Sequence, residues 1–146
     1  MPTQEQTIAK ALRILDSRIR SGPALSSPME VRNYLKLKLG FLEYEVFHVL
    51  YLDAQNRVIA SEEAFRGTLT QTSVYPREIV KRALFHNAGA VIFAHPHPSG
   101  VCEASHADEV LTQALKQALA LVDVKVLDHF VISAGGVLSF AERGLL

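Results

Sequence analysis

Five consecutive apolar residues, Ala90-Val91-Ile92-Phe93-Ala94, run without interruption into His95-Pro96-His97-Pro98-Ser99-Gly100. An apolar run this short, entered past Gly89 and closed by prolines, predicts a strand buried on both faces. Such a strand needs a covering layer on each side, and the rest of the chain provides helices for both. Ile8, Leu12, Leu15 and Ile19 recur at three to four residues, which predicts an amphipathic helix over about 3–20. Ser21-Gly22-Pro23-Ala24-Leu25-Ser26 breaks it as a linker. Ser27-Pro28-Met29-Glu30 has the form of a capping box with proline at the first helical position, and opens a second helix to about Leu39, closed by Gly40.

Glu45 to Leu52 is rich in β-branched and aromatic residues and predicts a strand. Asp53-Ala54-Gln55-Asn56 reads as a turn, Val58-Ile59-Ala60 as the start of a returning strand, and 68–73 as another strand. Pro76 starts a helix with Ile79, Val80, Ala83 and Leu84 on one stripe. Residues 105–122 repeat Ala107, Val110, Leu111, Ala114, Leu115, Ala118 and Val122 at helical spacing. Val124–Leu127 and Phe130–Ile132 are two strands or one broken strand, and Gly135-Gly136 suits a hairpin turn before Val137–Phe140. Helices interleaved with hairpins and a buried strand give an α/β fold with a mixed β-sheet flanked by helices. The domain division expected is 1–25 as an N-terminal helix and linker and 26–146 as the main domain.

A length of 146 residues suits one domain, and 49% hydrophobic with 21% charged residues is a globular composition. No apolar run approaches the roughly 20 residues of a membrane span, and the polar N-terminus lacks a signal-peptide core. The single cysteine, Cys102, excludes an internal disulfide and fits a reducing cytoplasm. Residues 1–40 carry seven Lys/Arg against three acids, and the remainder eight against twelve. That surplus, spread over two helices, falls short of the dense basic stripe of a DNA binder, so any nucleic-acid binding is expected to be weak.

The chemistry-bearing stretch begins where the apolar strand ends. Side chains two apart in an extended segment point the same way, so His95 and His97 present two imidazoles side by side. Pro96 and Pro98 stiffen the exit. Asp108 falls in the first turn of the helix that follows, where its carboxylate can turn back towards the histidines. Two imidazole nitrogens and one carboxylate oxygen are a standard three-ligand set for catalytic zinc, with a further position left open to water. The competing readings are a polar histidine pair on a strand and a helix-capping pair made by Ser105 and Asp108.

These residues carry a resemblance. His95-Pro96-His97-Pro98-Ser99-Gly100 followed by Ser105-His106-Ala107-Asp108 resembles the JAMM motif of the MPN-plus proteins. Phe65-Arg66-Gly67-Thr68-Leu69, Ser73-Val74-Tyr75-Pro76-Arg77-Glu78 and Ser139-Phe140-Ala141-Glu142-Arg143-Gly144 are similar to the RadC-like branch of bacterial JAMM proteins, over about 26–146. The resemblance implies the JAMM/MPN (cytidine-deaminase-like) architecture and Zn²⁺ held by His95, His97 and Asp108. Two departures stand out: Pro96 replaces the Asn usual between the histidines, and Val101-Cys102-Glu103-Ala104 lacks the usual proline. Longer relatives carry an N-terminal helix-hairpin-helix module, for which this sequence is too short.

A zinc hydrolase also needs a proton acceptor that does not ligate. Glu43, Glu45, Glu62, Glu63 and Glu103 lie in strand or loop positions. Glu45 shares a strand face with Phe47, Val49 and Tyr51, where a carboxylate needs a polar partner. The resemblance places the general base at this first strand, which selects Glu45 with Glu43 as its rival. It likewise implies that Ser105 helps hold an oxyanion. Asp128-His129 is either a surface turn or an orienting partner for a ligand. His48, His86 and His106 are expected to be packing or surface residues, and Cys102 a bystander thiol. Two functions follow: a hydrolase of peptide, isopeptide or other amide bonds, or a DNA-repair-associated accessory protein of the RadC type without peptidase activity. The expected partner is an amide-bearing substrate.

Overall fold

The computed structural model describes residues 1–21, 28–67 and 74–146. Helices α1 (Gln4–Ser21) and α2 (Pro28–Leu39) precede strands β1 (Val46–Leu52) and β2 (Val58–Arg66). Then follow α3 (Pro76–Phe85), β3 (Ala90–Pro96), α4 (His106–Ala120), β4 (Lys125–Ser133) and β5 (Gly136–Ser139). The linker over 22–26, the Ser27 cap and the strand expected over 68–73 lie outside the described residues.

The five strands form one mixed sheet in the order β2-β1-β3-β4-β5. β1 is antiparallel to β2 and to β3, β3 is parallel to β4, and β4 is antiparallel to β5. Every residue of β1 and of β3 is buried. That is why both read as nearly unbroken apolar runs: they are central strands covered on both faces.

Alternation along the strands divides the core in two. Leu50, Leu52, Ile92, Ala94 and Ile132 face α2, whose Val31, Tyr34, Leu35 and Leu39 are buried against them, with Leu12 and Leu15 of α1 packed behind. Phe47, Val49, Tyr51, Val91 and Phe93 face α3 and α4, through Ile79, Ala83, Leu111, Leu115 and Leu119. A fully buried aliphatic or aromatic side chain of this kind contributes about 1.5–3 kcal/mol. No helix among the described residues is long and apolar enough to cross a membrane.

Three details differ from the sequence expectation. β4 is continuous from Lys125 to Ser133, so the polar Asp128-His129 pair lies inside a strand and not in a surface turn. The β3–β4 register runs Val91 opposite Val126 and then Ile92 opposite Asp128, leaving Leu127 as a bulged residue. The β4–β5 turn is formed by Ala134 and Gly135, while Gly136 already pairs with Ser133. Gly136 has φ 143°, a conformation closed to most side chains.

His48 sits on the α2 face at 2% exposure, its Nε2 2.6 Å from Ser61 Oγ. Burial, reinforced by Lys38, pushes its pKa down from 6.5 to about 4. Unfolded His48 therefore gains a proton over a pH range in which folded His48 cannot. Stability is intact in this respect above pH 6.5 and is lost as pH falls towards 4, by about 3 kcal/mol in all. Urea unfolding across that range should show a flatter pH dependence for His48→Gln than for the wild type. Equal slopes would refute the assignment.

Candidate metal centre

The site forms where β3 ends and α4 begins, at the carboxyl edge of two parallel strands joined by a helical crossover. His95 lies on the β3 face shared by Val91 and Phe93, and is 1% exposed. His97 follows one alternation later. Its N–H donates to the Ile132 carbonyl of β4 at 2.8 Å. Because alternate residues of β3 bond to β4, the nitrogen of Pro96 points to the β1 side. The β1–β3 ladder has ended by then, at His48 opposite Ala94. Pro96, which has no N–H to give, lies beyond the last β1–β3 pair.

Asp108 arrives from the other direction, as the third residue of α4. Ser105 is the N-cap: its Oγ accepts from the Asp108 N–H at 3.0 Å, and its own N–H donates to Asp108 Oδ2 at 2.9 Å. This reciprocal box turns the carboxylate back over the strand exit. Capping and convergence on the histidines, competing readings in the sequence, are met by the same two residues.

His95 Nε2 lies 3.0 Å from His97 Nε2 and 3.3 Å from Asp108 Oδ1, and His97 Nε2 lies 3.2 Å from Asp108 Oδ2. The three residues form a cluster able to hold a metal ion. Bonds of about 2.0–2.1 Å at tetrahedral angles would separate zinc ligands by about 3.3–3.4 Å. The observed spacings are close to that, and a buried N,N,O donor set suits a borderline ion.

Electrostatics agree with a cation-ready site. Burial alone would raise the Asp108 carboxyl, but hydrogen bonds to His95 and His97, the charge of His95 and the Ser105 N–H hold it far below the usual carboxylate range. Hydrogen bonding to Asp108 raises His97, with the Val101 carbonyl and the charges of Asp108 and Glu45 adding to it against burial. His97 Nδ1 lies 3.1 Å from that carbonyl oxygen, which can only accept, so Nδ1 carries the proton and Nε2 faces the cluster.

Glu45 enters half-buried, immediately before β1. Continuing the β1–β3 register from His48 opposite Ala94 by three residues puts Glu45 opposite His97. Its charge is felt there, yet it is not part of the three-residue cluster. The other candidate acids have different surroundings. Glu62 is bound by Arg82 and His86, Glu63 pairs with Arg66 at 3.0 Å, and Glu43 and Glu103 are exposed.

Ser105 is exposed and uses its oxygen as a cap acceptor, which leaves its hydroxyl proton to donate. His106 is exposed. Cys102 donates to the Val131 carbonyl at 3.6 Å and packs near Phe140, apart from the ligand cluster.

Sequence reasoning left one part of the site undecided and missed another. His129 is wholly buried, with Nε2 2.7 Å from His95 Nδ1. Its Nδ1 is 2.6 Å from Thr112 Oγ1. Burial, and the charge of His95, keep its pKa well below the ordinary histidine value. Thr112 gave no sequence signal beyond lying one helical turn after Asp108.

Comparison with known proteins adds an independent line. The model of the RadC-like JAB domain matches residues 25–145. A UPF0758 protein of Nitrosospira multiformis is 62% identical over 142 residues, covering 97% of this chain and 63% of that protein. UPF0758 proteins of Nitrosomonas eutropha and Leptothrix cholodnii are 65% and 64% identical over 136 residues, covering 93% of this chain and 61% of each relative. The chain thus spans less than two thirds of the length of these relatives.

Proposed function

Because the chain belongs to the family of RadC-like JAB domains, we propose that it is a zinc-dependent hydrolase of peptide, isopeptide or other amide bonds. The observation that carries this reading is the convergence of His95, His97 and Asp108 with Glu45 alongside but outside the cluster. When bound, zinc supplies Lewis acidity, polarising a carbonyl and acidifying water. Glu45 takes the proton of the attacking water and returns it to the leaving nitrogen. Ser105, exposed at the α4 N-cap, donates its hydroxyl proton towards the developing oxyanion.

The partner proposed is an amide-bearing substrate, with nucleic acid bound weakly and in a salt-sensitive way. The lone thiol fits a reducing cytoplasm. A DNA-repair accessory role of the RadC type would not require an acid beside a three-ligand cluster, which favours the hydrolase. Incubating zinc-loaded protein with a library of peptides and amide-linked conjugates should reveal chelator-sensitive cleavage products by mass spectrometry. Zinc-loaded protein that cleaves none of them would count against the hydrolase and for the accessory role.

A further inference from the structure

We infer that His129 and Thr112 are positioning residues that lock His95 in the tautomer whose Nε2 lone pair faces the metal. This rests on reading the His95–His97–Asp108 cluster as a metal site. Donor counting carries the inference. Thr112 Oγ1 lies 2.7 Å from the Asp108 carbonyl oxygen, one helical turn back, and that oxygen has no proton to give. The single hydroxyl proton of Thr112 therefore goes to Asp108. The same Oγ1 then has only acceptor capacity left for His129 Nδ1 at 2.6 Å, so Nδ1 carries the ring proton. Among the described residues the His129 ring nitrogens meet no carboxylate, only His95 and Thr112; the ring is stacked on Phe140 and set edge-on to Phe47 and Phe93, an apolar surrounding for a neutral imidazole. Its Nε2 is thus a bare acceptor 2.7 Å from His95 Nδ1, which must donate. In the neutral ring that a metal ion binds, His95 Nε2 is then the unprotonated nitrogen among the other ligand atoms.

The backbone is arranged for this contact. Without the bulge at Leu127, the β3–β4 register would bring Asp128, not His129, opposite Phe93 and onto the face of His95. The bulge shifts the strand by one residue, and a one-residue shift exchanges the faces. The relay starts at the carbonyl of Asp108 and ends at His95, so one ligand residue orients another through two side chains. His97 needs no such relay, because the Val101 carbonyl performs the same task directly.

The test uses the whole chain, with long-range ¹H–¹⁵N spectra of the histidine rings at about pH 8.5 and zinc titration against a competing chelator. Metal-free wild type should show His95 protonated at Nδ1 and His129 protonated at Nδ1. Thr112→Val, nearly isosteric, should populate the other His129 tautomer and weaken zinc binding about 10–100-fold, the range for partners of metal-ligating histidines. Thr112→Ser, which keeps the hydroxyl, should restore both. A wild-type His95 protonated at Nε2, or Thr112→Val and Thr112→Ser binding zinc with equal affinity, would overturn the inference. A wild type with the expected tautomers that takes up no zinc would remove the metal reading and leave the lock standing.

Discussion

Asp108→Asn is expected to lower zinc affinity by on the order of a hundred- to a thousandfold while leaving helix α4 in place. Four-ligand structural zinc sites bind with about 10–16 kcal/mol. A share of roughly 3 kcal/mol per ligand corresponds to a factor between those limits. Asparagine separates two tasks that Asp108 performs together. Its side-chain oxygen still accepts from the Ser105 N–H, so the capping box survives. What disappears is the negative charge that raises His97 and that a cation would neutralise. Circular dichroism should therefore stay near wild type, and chelator competition should report the loss. Unchanged affinity would sink the three-ligand assignment. His97 adds a sign to the pH dependence. Its pKa is raised above the ordinary histidine value, and zinc must displace that proton, so apparent affinity should fall as pH drops through that raised pKa.

How much of this was legible in the sequence depended on whether the signal was local. The central strands announced themselves because burial on both faces leaves no room for polar alternation, as in Val91, Ile92 and Phe93. His95, His97 and Asp108 were legible because a strand's two-residue period and a helix cap each act over a few residues. The role of His129 stayed open between a surface turn and an orienting partner for a ligand. Its position opposite Phe93, 36 residues earlier in the chain, depends on a bulge at Leu127, and a bulge depends on how the two strands pair. Asp128 compounds the difficulty. A polar pair between apolar residues looks like a turn, yet Asp128 stays in the strand because it accepts from the Ser139 hydroxyl at 2.6 Å and the Ala141 N–H at 3.0 Å. Thr112 was silent for a related reason, since its hydroxyl serves a residue brought near only by the β3–α4–β4 crossover.

Glu45→Gln is expected to retain zinc and to lose hydrolysis by at least about a hundredfold, the lower end of general-base contributions. Three features of the fold make Glu45 the residue to test. Extended three residues past its last pair, the register of β1 on β3 would carry it opposite His97. Its carbonyl is tied by the Gly67 N–H at 2.9 Å, which holds the residue to the edge of β2. Its charge reaches His97 without its carboxylate joining the ligand cluster. Glutamine preserves size and polarity and removes only the ability to take a proton. A drop in turnover with unchanged metal content therefore reports the base and not the site's assembly. The other candidate acids supply the control: Glu43→Gln, at an exposed position, should hydrolyse substrate like the wild type. A fully active Glu45→Gln beside an inactive Glu43→Gln would transfer the role to Glu43, and loss of zinc from Glu45→Gln would make residue 45 a ligand instead of a base.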